Sequence, residues 1–260
     1  MNRIKIAFFD IDGTLLNMGE LKMTYNIQKA LRLLKQRGIK ICIATGRPMI
    51  NIPKFEGITF DAALAFNGSF SVAENEVITN CPIPKQDVYK IVENAKAIGR
   101  PVSIATIDKI VANGCDKNLE DYFTLAHKKV FVSEEFERCV KEDVYQIMIG
   151  CDLEERNYIL QGTKNAKFVA WWERAVDIIP KLGGKGIAIE HMLAHYQFSK
   201  DEAIAFGDGM NDIDMLQAVG RGVAMGNASE EVKKIADDVC DDVRNDGIFH
   251  YLTKHKIIEE

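Results

Sequence analysis

The sequence predicts an α/β fold, a core built on a parallel sheet and interrupted by an inserted α+β domain. Three observations carry that reading. Short apolar runs alternate with helical patterns in the first and last thirds of the chain, and strand–helix–strand units of this kind pair in parallel through crossovers. Three of the runs end in polar, glycine-containing loops. The character of the chain changes between two punctuated crossings, at Cys81-Pro82-Ile83-Pro84 and from Pro180 to Gly186.

Ile4 to Phe9 is apolar and stops at acidic residues and Gly13, as a buried strand feeding a loop does. Between Thr24 and Arg37, Ile27, Ala30, Leu31 and Leu34 recur at helical spacing, and Gly38 is a natural C-terminal stop. Ile39 to Ala44 reads as a second strand, ending in Thr45-Gly46-Arg47. Ala62 to Phe66 reads as a third, ending at the hairpin signal Asn67-Gly68. Past Pro84 come a helix (Lys85 to Ile98), a strand (Val102 to Ile107), a charged helical piece near Asn118 to His127 and a strand (Val144 to Ile149). Another helical piece follows, then strand-like runs around Phe168 to Trp172 and Val176 to Ile179. The first style then returns. Lys185 to Tyr196 is helical, Ala203 to Phe206 is a strand ending in Gly207-Asp208-Gly209, and Met210 to Ala218 is helical. Gly222 to Met225 is strand-like, and Ser229 caps a helix to Ala236. The expected core is therefore residues 1–82 and 183–260, with the insert at 83–182.

A chain of 260 residues holds one large or two ordinary domains, and 47% hydrophobic with 27% charged residues is a globular balance. The net charge of −5 lacks the basic field of sequence-independent nucleic-acid binding, so any phosphate must be held locally. Six cysteines with no C-x-x-C spacing read as reduced thiols of a cytoplasmic protein, Cys42 as a buried small hydrophobe. The apolar run before Asp10 is too short for a signal peptide. No stretch of about 18 apolar residues predicts a membrane span.

Ligands of open α/β sheets bind beyond the carboxyl ends of the strands. The loops Asp10–Thr14, Thr45–Arg47 and Asp208–Asp212 converge if their strands are neighbours. Asp10 and Asp12 flank one isoleucine, and in extended backbone they would share a face. Close carboxylates raise each other's pKa, a conflict that a divalent cation relieves. With Asp208 and Asp212, and no paired histidine or cysteine, the set suits a hard cation with oxygen ligands, Mg²⁺ best. The Thr45 hydroxyl, the Gly46 N–H, the Lys185 ammonium and the Asn211 amide form a donor set for a phosphoryl group. Arg47 is a further phosphate or substrate contact, or the partner of a core carboxylate. Lys185 opens a helix, where the dipole disfavours a cation, so a local anionic partner is expected. Gly183-Gly184-Lys185-Gly186 lacks the form of a nucleotide-binding P-loop. His191 and His195 have chelating spacing but no third ligand, and read as satisfied histidines. The Asp237 to Asp242 run reads as solvated surface.

These motifs resemble the haloacid dehalogenase superfamily, and within it the Cof-type sugar-phosphate phosphatases. Asp10-Ile11-Asp12-Gly13-Thr14, Thr45-Gly46-Arg47, Lys185-Gly186 and Gly207-Asp208-Gly209-Met210-Asn211-Asp212 occur in that family's order, and Gly222 to Ala228 is similar too. The resemblance implies a Rossmann-like parallel-sheet core with an α/β cap inserted between the second and third motifs. It implies hydrolysis of small phosphorylated metabolites, with sugar phosphates foremost. Asp10 would be the nucleophile that forms an aspartyl-phosphate, and Asp12 the acid and then the base. Mg²⁺ would be held by the Asp10 carboxylate, the Asp12 carbonyl and Asp208, with Asp212 reaching it through water. Thr45, Gly46, Lys185 and Asn211 would cradle the phosphoryl group. The cap would choose the ester, and its Trp171, Trp172, Glu173 and Arg174 are the distinctive segment, a sugar-binding wall or a packing feature. A sugar phosphomutase with the same intermediate is the alternative. So is a silent phosphate-ester-binding module, against which intact Asp10, Asp12 and Lys185 argue.

Overall fold

The structure, a computed structural model, describes residues 4–125, 128–170 and 175–259. In chain order its elements are β1 (Ile6–Phe9), α1 (Tyr25–Gln36), β2 (Lys40–Ala44), β3 (Ala62–Ala65), β4 (Phe70–Ala73), β5 (Glu76–Asn80) and α2 (Lys85–Ala97). Then come β6 (Ser103–Ala105), β7 (Ile110–Ala112), α3 (Lys117–Leu125), α4 (Phe136–Cys139), β8 (Gln146–Gly150), α5 (Leu153–Ile159), β9 (Ala166–Ala170) and β10 (Ala175–Pro180). The chain ends with α6 (Lys185–Tyr196), β11 (Ala203–Gly207), α7 (Ile213–Ala218), β12 (Arg221–Ala224), α8 (Glu230–Ile235), β13 (Asp238–Val239) and α9 (Gly247–Lys254). Two compact units form: Met1–Gly46, Pro53–Thr79 and Gly184–Glu260 make one, Arg47–Ile52 and Asn80–Gly183 the other.

The first unit carries a sheet in the order β13-β12-β11-β1-β2-β3-β4-β5. From β13 to β3 all neighbours are parallel, and β4 runs antiparallel to β3. Every residue of β1 and β11 is buried, which is why these strands read as unbroken apolar runs and not as alternating ones. Thr24 caps α1 by accepting the Ile27 N–H, and Ile27, Ala30, Leu31 and Leu34 face the interior. Burial of each such leucine or isoleucine stabilises by about 1.5–3 kcal/mol. Cys42 is buried in β2 among core residues. No helix among the described residues is long and apolar enough to cross a membrane.

Three sequence expectations bear on this unit; the first two are met and the third is corrected. The Asn67-Gly68 signal does mark a hairpin: β3 and β4 pair antiparallel across a turn of 3₁₀ type at Phe66–Gly68, with Asn67 left-handed at φ 52°. The partner strand β4, and β5 beyond it, had no alternation strong enough to find. The Asp237 to Asp242 run is exposed or half-exposed throughout, as a solvated surface is. It contains β13, and the Asp237 carboxylate accepts the Gly222 N–H at 2.8 Å. Third, β1 ends at Phe9, and residues 11–16 close into a turn in which Leu15 and Leu16 N–H donate to the Ile11 carbonyl. Asp10 and Asp12 therefore do not share a strand face.

The second unit holds an antiparallel sheet in the order β7-β6-β8-β10-β9. Alternate residues Ile104, Ile147, Ile149, Val176 and Ile178 pack with Val88, Ile91 and Ala95 of α2 and Ile159 of α5. Asp177, between two of them, takes the Tyr122 hydroxyl of α3 at 2.5 Å. Trp171, Trp172, Glu173 and Arg174 lie outside the described residues.

Candidate active site

β1 lies between β2 and β11, with Phe9 opposite Ile43 on one side and Phe206 on the other. The carboxyl ends of these three strands therefore meet. The chain leaves β1 toward β2, while β11 joins from the far end of the sequence, so the site occupies a topological switch point. Asp10 follows β1, Thr45 follows β2 and Asp208 follows β11. The Phe9 and Phe206 rings stack at 5.4 Å and brace the two acidic loops.

Lys185, the first residue of α6, is fully buried, and its Nζ donates to Asp10 Oδ1 at 2.7 Å and to Asp212 Oδ1 at 2.5 Å. These are the anionic partners that a lysine at a helix start requires. Asp212 Oδ2 accepts the N–H groups of Asp208 and Gly209, both at 2.9 Å. Asp208 Oδ1 accepts the Thr14 hydroxyl at 2.8 Å. Gly13 has φ 82°, and a Cβ there would fall 2.2 Å from Asp208 Oδ2, so only glycine admits the carboxylate.

Asp10, Asp208 and Asp212 each offer an oxygen, all within 4.8 Å of one another. Burial, and then Asp212 and Asp12, push the Asp10 carboxyl up to about 7 against the lowering pull of Lys185. Burial, then Asp10 and Asp212, push Asp208 up to about 8. Burial works against the charge of Lys185, yet Asp10 and Asp212 outweigh it and its pKa is raised. One ammonium does not neutralise three carboxylates, so this all-oxygen set fits a divalent cation. Asp12 contributes no side-chain oxygen to the group.

A pH dependence follows. Asp10 and Asp208 bind protons more tightly folded than unfolded, so metal-free stability should fall as pH rises from about 4 to about 8. A bound cation must displace those protons. Thermal unfolding with chelator and with excess Mg²⁺ should show a larger metal-induced gain at pH 8 than at pH 5.5. An equal gain at both would contradict the assignment.

Thr45 is buried, its N–H donates to the Leu64 carbonyl, and its own carbonyl accepts the Asn67 N–H. The side chains of Asn67 and Asn211 close over Gly46, and Asn211 Nδ2 donates to Asn67 Oδ1 at 3.0 Å. Thr45, Gly46, Lys185 and Asn211 thus all belong to the first unit. Arg47 falls in the second, where its Nη1 donates to the Asn51 carbonyl at 3.2 Å. His191 pairs through Nδ1 with the Thr79 hydroxyl, and His195 packs edge-on to Tyr196. Thr14, Asn67 and Asn227 are site residues that sequence reasoning did not single out. Thr14 stood inside the first motif, Asn67 was read only as turn chemistry, and Asn227 lay in a stretch similar to the family with no role attached.

A buried lysine among carboxylates, beyond the central strands of a parallel sheet, is the organisation of a phosphoryl-transfer hydrolase. A family model of the haloacid dehalogenase-like hydrolases matches residues 7–252. The chain is 32% identical over 248 residues to the Bacillus subtilis (strain 168) protein named "Putative phosphatase YkrA", covering 94% of this chain and 95% of that one. The structure of the phosphatase BT1666 from Bacteroides thetaiotaomicron matches with a TM-score of 0.91 at 30% identity, over 98% of this chain and 96% of that one. That of the HAD subclass IIB sugar phosphatase BT4131 matches with a TM-score of 0.86 at 29% identity, over 98% and 100%. The chain belongs to the haloacid dehalogenase-like hydrolase family, as one of its phosphatases.

Proposed function

We propose that this phosphatase is Mg²⁺-dependent and hydrolyses small phosphorylated metabolites, sugar phosphates foremost, through an aspartyl-phosphate on Asp10. The observation that carries the proposal is the buried Lys185 bridging Asp10 and Asp212 beside Asp208. The ammonium favours the ionised, nucleophilic form of Asp10 and faces the position where phosphoryl charge develops. The sugar-phosphate reading is supported by the likeness to BT4131, described as a sugar phosphatase.

In the first step an Asp10 carboxylate oxygen attacks phosphorus, the phosphorus–oxygen bond to the leaving group breaks, and Asp12 gives its proton to the departing alkoxide. In the second, Asp12 takes a proton from water, which attacks phosphorus, releases inorganic phosphate and restores Asp10. Asp10, Asp208 and Asp212, with the Asp12 carbonyl, are the residues that would hold Mg²⁺. Bound there, the ion supplies neutralisation of phosphoryl charge. Thr45, Gly46 and Asn211 complete the cradle by donating hydrogen bonds. The inserted domain, expected at residues 83–182, is proposed to select the leaving group.

Phosphate release from a chromogenic ester should vanish in chelator and return with Mg²⁺. Full activity in chelator, or restoration by Zn²⁺ alone, would count against the proposal. A screen of phosphorylated metabolites should rank sugar phosphates above nucleotides and phosphoproteins.

A further inference from the structure

We infer that Asn227 is a positioning residue for the carboxylate cluster, holding Asp208 and the Gly13 peptide in place from the loop beyond β12. The inference rests on reading that cluster as a cation site. Asn227 Nδ2 donates to the Gly13 carbonyl at 2.9 Å and to Asp208 Oδ2 at 3.3 Å. Its Oδ1 accepts the Val243 N–H at 3.1 Å. That third bond decides the amide's orientation. Val243 can only donate, so the oxygen must face it, and the NH₂ group is left pointing at the two acceptors.

The loop that carries Asn227 has little freedom. The Met225 N–H donates to the Gly207 carbonyl at 2.9 Å, the Gly226 N–H to Asp241 at 3.2 Å and the Ala228 N–H to Met225 at 2.9 Å. A Cβ at Gly226 would stand 2.5 Å from the Asp242 nitrogen, so the strand-end loop is pressed against the segment leading to α9. Asn227 thus transmits a fixed frame to the site.

Asp208 needs such a frame. It lies beside two other carboxylates, whose repulsion favours swinging it away. Thr14 holds Oδ1 and Asn227 holds Oδ2, so both oxygens are fixed and the carboxylate plane is set. The same amide ties down Gly13, against which Asp208 packs. An aspartate at 227 would place acceptor against acceptor here, which explains why an amide suits a site already rich in carboxylates. Partners that orient metal ligands in this way typically change metal affinity by about 10–100-fold when removed. The Asn227 side chain is exposed to water, which offsets part of that loss.

The test is calorimetric titration of Mg²⁺ alone into metal-free parent and N227A, with thermal unfolding of both in chelator. The Kd for Mg²⁺ should rise about tenfold in N227A, with the variant still unfolding in a single cooperative transition in chelator. In assays, the Mg²⁺ concentration for half-activity should shift likewise. Equal Mg²⁺ affinity in the two proteins would overturn the inference, whether or not the variant melts earlier. A parent that takes up no Mg²⁺ would overturn the cation reading, and this inference with it.

Discussion

Asp10→Asn should reduce phosphate release by about three orders of magnitude or more, with the fold retained. The substitution is nearly isosteric and removes only the anionic oxygen proposed to attack phosphorus. Asp10 lies 6% exposed at the end of a fully buried strand, so the change is not relieved by movement of the backbone. Lys185 keeps its bond to Asp212 and is not left an unpaired buried charge. The expected protein is therefore folded, still able to bind a phosphate ester, and inert. Steady-state release of phosphate and a chemical trap for the aspartyl-phosphate measure the two halves of the claim. Turnover within tenfold of the parent, or a trapped phosphoenzyme in the variant, would refute the role of Asp10.

Lys185→Met should have the second largest effect, and a different signature. Methionine fills a similar volume but leaves Asp10 and Asp212 without their buried cation. Breaking a buried ion pair by removing one partner costs about 3–5 kcal/mol. Here the carboxylates can escape part of the cost by taking up protons. The metal-free variant should accordingly melt below the parent by more at pH 8 than at pH 5.5. Loss of a donor proposed to face developing charge should lower kcat at saturating Mg²⁺ by about 10²–10³-fold. Thermal unfolding across pH, together with kcat at saturating Mg²⁺, checks both. A variant with parental melting at pH 8 and near-parental kcat would show that the lysine only fills space.

Much of the core was legible because its periodicities are strong. β1, β2, β3 and β11 are short apolar runs with sharp ends, and α1 and α6 keep their faces over three turns. β4, β5 and α9 were not legible. β5 is mostly exposed and has no apolar face to announce it. α9 follows Asp246, a left-handed residue at φ 55° whose carboxylate is held by Thr24 and Asn26 from the other end of the chain. No local signal records such a cap.

By itself the sequence determined which residues are candidates for the chemistry, because carboxylates, a lysine and glycines behind short strands are local patterns that only a few reactions need. It also determined the alternation that makes the core sheet parallel. Tertiary structure alone decided what those residues do to one another. Asp10, Lys185 and Asp212 are far apart in the chain, and only the order β11-β1-β2 brings them within hydrogen-bonding distance. The turn at residues 11–16 separates the Asp12 carboxylate from the cluster that Asp10 joins, against the expectation from spacing. Asn227 acquires a part only through Val243, Gly13 and Asp208, none of them adjacent to it in sequence. The physical reason is range. Strand and helix patterns are written over a few neighbouring residues, whereas the field at a buried carboxylate is set by whichever charges and donors the folded chain places within a few ångströms.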